Sequence, residues 1–559
     1  MDVAALKKHL NQRRESLRQI EQRHEQRWRE LRDYVQPFRG RFSGEKPDEY
    51  KPSMSKILDS APVTALRMLS AGMQSGLTSP SRQWFKLTVH DAELASHQQV
   101  LQWCDEVHRR MMVIMASSDF YKSLHDLYDE VAVFGTAAMT ILPDYDRVIS
   151  CRTLTAGTYY LGKAAHERVD SFYRDLYMTA GEMAAEFGEE NCSPGVQSAL
   201  QSNRDLVFEV RHAVEPDTMG AGRFDYVSVY WEAGGDPDKM LRLSGYSDFP
   251  VMTPRWTVGE SDIYGYGPAS EALPDIKTLQ AMKEDYLRGV KKQVSPPLVA
   301  SRGVLEGGVK TMPNGITYVT DGLSAQVGPL YNVNLNLEAL AATMEQYKAD
   351  IRKSLYVDLF MMLSDQPDSK QMTAREVAER HEEKMLALGP VLERLEWELL
   401  IPAIDRIYTI MNEAGLVPEP PSVIQGEEIK IEFVSVLAQA QKMMGLSSIE
   451  QSVGFAGQIA AVDPSVLELL DLETIMRKYV EMIGAPADIL REEQEVAALR
   501  AQRQSQQAQM MQQAQEQQAA QTAQSAAQGA KALADTPVQG AGGSALDALI
   551  GPLGVGAEQ

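Results

Sequence analysis

The stretch Gly157-Thr-Tyr-Tyr-Leu-Gly162-Lys163-Ala164 comes nearest to a catalytic motif in this chain. A phosphate-cradling loop needs GxxxxGK followed by Ser or Thr, whose hydroxyl ligates magnesium. Here that position is Ala164, and Tyr159, Tyr160 and Leu161 fill the loop with bulk. A second glycine pair, Gly265-Tyr-Gly267-Pro268-Ala-Ser270, has Ser270 where a dinucleotide loop has its third glycine. With Pro268 in place it reads better as a turn ahead of a helix. The nine histidines show no HExxH and no zinc-type spacing with Cys104, Cys151 or Cys192. His381-Glu382-Glu383 reads as a solvated helical face, and GxSxG is absent. Residue type and spacing therefore nominate no catalytic residue, no metal and no cofactor.

The elements around these stretches are mainly helical. Residues 1–35 repeat Leu6, Leu10, Leu17, Ile20, Trp28, Leu31 and Val35 near a helical period, and Pro37 and Gly40 end them. Helices are expected over 57–76, 95–116 and 120–139, the last with Gly135 inside it, where close backbone packing would explain the glycine. Residues 84–87 start a strand-like piece. From 141 to about 254, short alternating segments (VISCRTL, GTYYLG, VDSFYRDLYM, LVFEVRHAV, FDYVSVYWEA) signal β-strands, interrupted by a helix over 179–187. The fold class expected is thus mainly α with a smaller α+β part.

Two amphipathic helices follow, over 274–294 and 337–360, around a Pro/Gly-punctuated insert over 298–331. Ile276, Leu279, Met282, Tyr286, Leu287, Val290 and Val294 form one stripe, so the first packs on one side only. Lys291 and Lys292 suit its C-terminal dipole, and Ser295-Pro296-Pro297 stops it. Asn336 is placed to cap the returning helix, and Pro313-Asn314-Gly315 signals a hairpin in the insert. The two helices can stand as a long hairpin with the insert at its tip. After a polar loop over 362–371, Thr373 and Glu376 form a capping box that starts a third long helix over 374–414, which Pro390 and Pro402 should kink. Residues 428–434 alternate as a strand, and further helices are expected over 436–444, 449–461, 472–483 and from 489. From about Arg503 the chain is Gln/Ala-rich without an apolar stripe, and from Asp535 it is Gly-rich and expected to be disordered.

Composition narrows the function. The 559 residues carry Lys+Arg 55 against Asp+Glu 77, a net charge of −22. Such a surface does not bind nucleic acid broadly, because backbone contact needs clustered Lys and Arg. Three scattered cysteines build no disulfide framework, which fits a reducing cytosol. The longest apolar run, 131–142, falls short of the roughly 20 residues that cross a bilayer. A soluble protein with no membrane partner is expected.

Five long strings, in order, resemble the portal, or head-to-tail connector, of short-tailed (podovirus-type) bacteriophages. They are AGMQSGLTSPSRQWFKL (71–87), FGTAAM (134–139), PRWTVGESDIYGYGPASEALPDIKTLQ (254–280), MTAREVAERHEEKMLALGPVLERLEWELLIPAIDRI (372–407) and IEFVSVLAQAQ (431–441). The resemblance covers roughly residues 1–500. It implies a ring of twelve identical subunits at one capsid vertex, with double-stranded viral DNA passing non-specifically through its centre. It also implies the portal fold of wing, stem, clip and crown. Residues 1–270 would form the wing, 271–294 and 332–361 the stem, and 295–331 the clip. Residues 362–371 would be the channel loop, 372–433 a wing helix and strand, 434–502 the crown, and 503–559 an extension that the family pattern does not cover. The implied partners are a terminase packaging motor, a tail adaptor, major capsid and scaffolding proteins, and internal ejection proteins. Location in the virion and assembly in the host cytoplasm follow from the same resemblance.

Under that reading Lys283, Arg288, Lys291 and Lys292 on the first stem helix are DNA-channel candidates, with Asp365, Asp368 and Lys370 in the loop. Gly265, Gly267 and Pro268 would set the wing–stem angle. Two alternatives stay open: a nucleotide-binding enzyme using Gly157–Lys163, and a helical scaffold acting through the Gln/Ala tract.

Overall fold

The computed structural model describes residues 2–42, 51–295, 298–299, 328–329, 336–359, 389–424, 429–433, 453–456, 458, 475–476 and 493–534, apart from 90, 96, 165–167, 221–222 and 261. It divides into two units, Met1–Ser448 and Ile449–Gln559. In the first, α1 (Val3–Tyr34) opens with Asp2 accepting from the Ala5 amide. Then come α2 (Ala61–Leu77), β1 (Phe85–Val89), α3 (Ala92–Ala95), α4 (Gln98–Ser117) and α5 (Phe120–Phe134). The β-rich block holds β2 (Ala138–Asp144), β3 (Val148–Leu154), β4 (Tyr159–Lys163), β5 (Val169–Thr179), α6 (Ala180–Phe187), α7 (Pro194–Ser202), β6 (Val207–Pro216), β7 (Tyr226–Glu232), β8 (Arg242–Tyr246) and β9 (Val251–Met252). Then follow α8 (Pro268–Val294), the short pair β10 (Leu298–Val299) and β11 (Gly328–Pro329), α9 (Leu337–Ser354), α10 (Ile401–Glu413) and β12 (Ile429–Phe433). The mainly helical class with antiparallel sheets is as expected.

The strands β4-β5-β6-β7-β8 make a five-stranded antiparallel meander, and β3-β2-β9 a smaller sheet. The first half of α1 lies on the meander: Leu6, Leu10 and Leu17 are buried with Tyr160, Tyr173, Val229 and Trp231. Polar contacts fix it there. Arg14 Nε donates to Asp175 Oδ1 at 2.7 Å, and Lys7 Nζ donates to the Asp236 carbonyl at 2.6 Å. The second half of α1 enters the main core, where Trp28 donates to the Phe134 carbonyl at 3.1 Å.

Several expected bounds move. The helix over 120–139 ends at Phe134, because Gly135 takes φ +80° as its cap and the chain turns into β2. The helix expected from 57 begins at Ala61 and the one expected at 95–116 spans Gln98–Ser117, whereas α8 begins six residues early, at Pro268. The returning helix stops at Ser354 rather than 360, and Tyr356 sits at φ +52°. Of the helix over 374–414, residues 374–388 lie outside the described residues. The expected distortion at Pro402 takes the form of a π turn over Glu396–Leu400 leading into α10. Proline has no amide to give the preceding turn, so the helix widens there instead of breaking. The hairpin signal at 313–315, the loop over 362–371 and most of 436–483 also lie outside the described residues. In the second unit, α11 (Glu493–Ala534) is one helix through Arg503, exposed over 499–532. No helix among the described residues is long and apolar enough to cross a membrane.

Candidate channel hairpin and its anchorage

Helices α8 and α9 pack side by side. Directly after α8, Leu298 and Val299 pair with Pro329 and Gly328, which shortly precede α9. The end of α8 therefore adjoins the start of α9, and the two helices are antiparallel. Ala272, Leu273, Ile276 and Leu279 are buried at the base. Higher up the same stripe Leu287 is 48% exposed and Val294 77% exposed. On α9, Asn336 Oδ1 accepts from the Ala339 amide at 3.1 Å, the cap expected, and Met344 and Ile351 are buried.

The segment ahead of α2 locks the hairpin base. Gln280 Oε1 accepts from the amides of Leu58 (2.7 Å) and Asp59 (2.8 Å), and its Nε2 donates to the Asp59 carbonyl at 2.9 Å. Asp59 meets Lys283 at 3.8 Å and Lys348 at 3.3 Å. Gln280→Leu strands two amides, so it should cost about 1–3 kcal/mol, read by urea unfolding.

The four cations nominated on α8 thus divide. Lys283 is neutralised by Asp59, and Arg288 bonds Glu284 one turn back. Lys291 and Lys292 are exposed and make no ion pair among the described residues. Asp365, Asp368, Lys370, Thr373 and Glu376 lie outside the described residues. A groove of about 470 Å³ runs along one flank of α8, walled by Tyr34, Lys56 and Leu58 and by Lys277, Leu287 and Lys291 among the α8 residues.

At the foot of α8 three glycines meet. Gly267 caps the helix at φ −90° ahead of Pro268, and Thr257 and Tyr266 bridge the turn. A Cβ on Gly267 would lie 2.5 Å from the Ala132 carbonyl oxygen. One on Gly265 would lie 2.5 Å from the Gly135 oxygen, and one on Gly135 2.5 Å from the Gly265 oxygen. The Gly265 amide donates to the buried Thr136 Oγ1 at 2.7 Å, and the Trp256 amide donates to the Gly135 carbonyl at 2.9 Å. Close packing explains Gly135, as expected. Its partners, 130 residues on, carried no local signal.

Sequence reasoning missed the ionic tie behind this turn. Arg255 Nη2 donates to Glu398 Oε1 at 2.6 Å, and the Arg255 amide donates to Glu398 Oε2 at 3.0 Å. It also missed two buried carboxyls. Burial, then the charge of Glu25, pushes Glu21 up to about 8, and Glu21 Oε1 has no hydrogen-bond partner. Burial also pushes Glu130 up to about 7 against the pull of Arg39, while it accepts from Thr155 Oγ1 at 2.7 Å and the Ala156 amide at 3.1 Å. A carboxyl raised in the folded state stabilises fully below the unfolded value of 4.5 and loses that contribution as pH climbs through about 8. Glu21→Gln should therefore raise the melting temperature more at pH 8.5 than at pH 5, where the two proteins should converge.

The phosphate-loop spacing has the wrong geometry. Gly157, at φ +85°, makes the turn into β4, and Gly162-Lys163 lie in that strand at a bulge against β5, with no helix to receive a phosphate.

Comparison with known proteins agrees with this geometry. The family model described as bacteriophage head to tail connecting protein matches residues 7–490. The probable portal protein of Bordetella phage BPP-1 is 38% identical over 484 residues, covering 85% of this chain and 87% of that one. The portal protein of Salmonella phage epsilon15 is 37% identical over 489 residues, covering 86% and 88%. Among solved structures, a chain in the neck of an empty gene transfer agent particle covers 71% of this chain and 86% of its own at 11% identity, with a TM-score of 0.34, too low to carry an argument. Matched along nearly its whole length by the connector model and by two phage portal proteins, the chain belongs to the bacteriophage head-to-tail connecting protein family.

Proposed function

We propose that this chain is a portal subunit, one of twelve in a ring at a capsid vertex, through which viral DNA is packaged and ejected and to which the tail attaches. Its role is structural rather than enzymatic. The identity to two phage portal proteins over most of both chains carries this reading. The paired helices support it, because their apolar stripe continues past the body into solvent, as a subunit surface awaiting a neighbour would. A ring needs one face of a subunit to meet a different face of the next.

In this proposal residues 1–270 and 372–433 form the wing, α8 and α9 the stem, residues 295–331 the clip, 362–371 the channel loop and 434–502 the crown. Residues 503–559 extend beyond it. The motive force comes from a terminase motor docking at the clip. A tail adaptor, capsid and scaffolding proteins and internal ejection proteins are the further partners, met in the host cytoplasm and kept in the virion. A net charge of −22 suits a conduit, since a positively lined bore would hold the phosphates. Lys292, exposed and about 100° round the helix from Lys291, is the DNA-facing candidate of α8, with Asp365, Asp368 and Lys370 in the loop. Electron microscopy of the purified protein should show closed rings with a central hole. A stubborn monomer, in solution and in virus particles, would refute the proposal.

A further inference from the structure

The groove along α8 lies on the side turned away from α9: its walls are α8, Tyr34 and residues 55–58, and no α9 residue lines it. It is both apolar and basic, with Leu58 and Leu287 on its floor and Arg288 and Lys291 on its rim. The opposite flank of the hairpin has the reverse character. On α9 the buried Met344 and Ile351 define the inner face. At about 100° per residue, Glu338, Glu345, Ala342 and Ala349 fall on the far side, and all four are exposed. Two acids and two small residues make a flank that can approach another helix closely.

The heights also agree. Lys283 and Lys348 meet the same carboxylate, Asp59, and so mark one level on the two antiparallel helices. At ~1.5 Å per residue, Arg288 stands about 8 Å above that level and Glu345 about 5 Å. Lys291 stands about 12 Å above it and Glu338 about 15 Å, by the same rise. Opposite charges thus sit within about 3 Å of equal height on opposite flanks of one hairpin. A surface of that kind cannot pair with itself about a two-fold axis; it pairs flank to opposite flank and propagates around a ring.

We infer that the groove of α8 receives the acidic flank of α9 from a second copy of this chain, with Lys291 facing Glu338 and Arg288 facing Glu345 across the contact. This deepens the portal reading and rests on it. Leu58 and Leu287 are covered by Ala342 and Ala349 of the partner. Arg288 and Lys291 are then consumed by the neighbour rather than by DNA.

The test uses two full-length variants, Arg288→Glu/Lys291→Glu and Glu338→Lys/Glu345→Lys. Each alone should lose at least ten-fold in ring fraction by analytical ultracentrifugation, because like charges then face each other. Mixed one to one they should recover rings, since each reversed flank finds its complement on the other variant, and a single chain carrying all four changes should assemble alone. Circular dichroism at matched temperature checks that each variant is folded. Rings from either pair alone, or no recovery on mixing folded variants, would overturn the inference while leaving the portal reading standing. Absence of rings in the unmodified protein would overturn the portal reading and this contact with it.

Discussion

Gly135→Ala should cost about 2–6 kcal/mol, enough to leave much of the protein unfolded, from two sources that add. A non-glycine residue in the left-handed region costs about 1–3 kcal/mol. Overpacking adds about 1–3 kcal/mol, because the new methyl would stand 2.5 Å from the Gly265 carbonyl oxygen and the Gly267 nitrogen, backbone atoms that cannot swing aside. Gly234→Ala isolates the first source: its φ is +74° and nothing lies within 4 Å of a Cβ there. Gly267→Val isolates the second, since its φ of −90° is ordinary and only the Ala132 and Val131 carbonyls obstruct it. Urea unfolding of the three proteins ranks them, with Gly135→Ala lowest and Gly234→Ala closest to the parent. If Gly135→Ala matched Gly234→Ala, the two backbones would not be in contact. Gly267→Val should also impair ring assembly, because α8 would leave the body at a different angle.

Arg255→Met is expected to cost about 3–5 kcal/mol, the penalty for stranding a charge whose buried partner is removed. The Arg255 side chain is 5% exposed and that of Glu398 17% exposed, so water replaces the lost guanidinium poorly. The double change Arg255→Met/Glu398→Leu should recover part of the loss, as an apolar pair often substitutes for a buried ionic one. Recovery stays incomplete, because Glu398 also accepts from the Arg255 amide, which survives the side-chain replacement. Glu398→Gln keeps an acceptor for that amide and should be milder than Arg255→Met. A double-mutant cycle by urea unfolding gives the coupling energy directly. Additive single effects would contradict a direct pair.

Much of this architecture was legible in the order of residues. The strands around VISCRTL, VDSFYRDLYM and FDYVSVYWEA, the capping box at Thr179 and Glu182 and the Asn336 cap are local signals, each contained in a few neighbouring residues. Strand β2 was hidden because Ala138–Asp144 continues an apolar run from α5, and only the left-handed Gly135 divides them. Strand β8 was hidden because Arg242–Tyr246 is mostly exposed and lacks alternation. Helix α7 was missed, although Ser193 caps it and Pro194 opens it, because it is only nine residues long. At the hairpin foot the sequence reveals glycines and a proline but not what they press against. The choice of Glu398 for Arg255, or of Asp59 for both Lys283 and Lys348, is made by the tertiary fold among many carboxylates of equal chemistry.

Strand β1 has its registered partner at the far end of the described body: Phe85 pairs with Phe433, and Val89 with Ile429. Phe85, Leu87 and Val89 are buried on completion. At a synthesis rate of roughly 5–20 residues per second, β12 leaves the ribosome about 20–70 s after β1. Through that interval the nascent chain holds an apolar strand with an unsatisfied edge. Many such copies made together could cross-pair before each closes on itself, so the timing of translation, and any chaperone that shields β1, bears on how many sound subunits a cell yields.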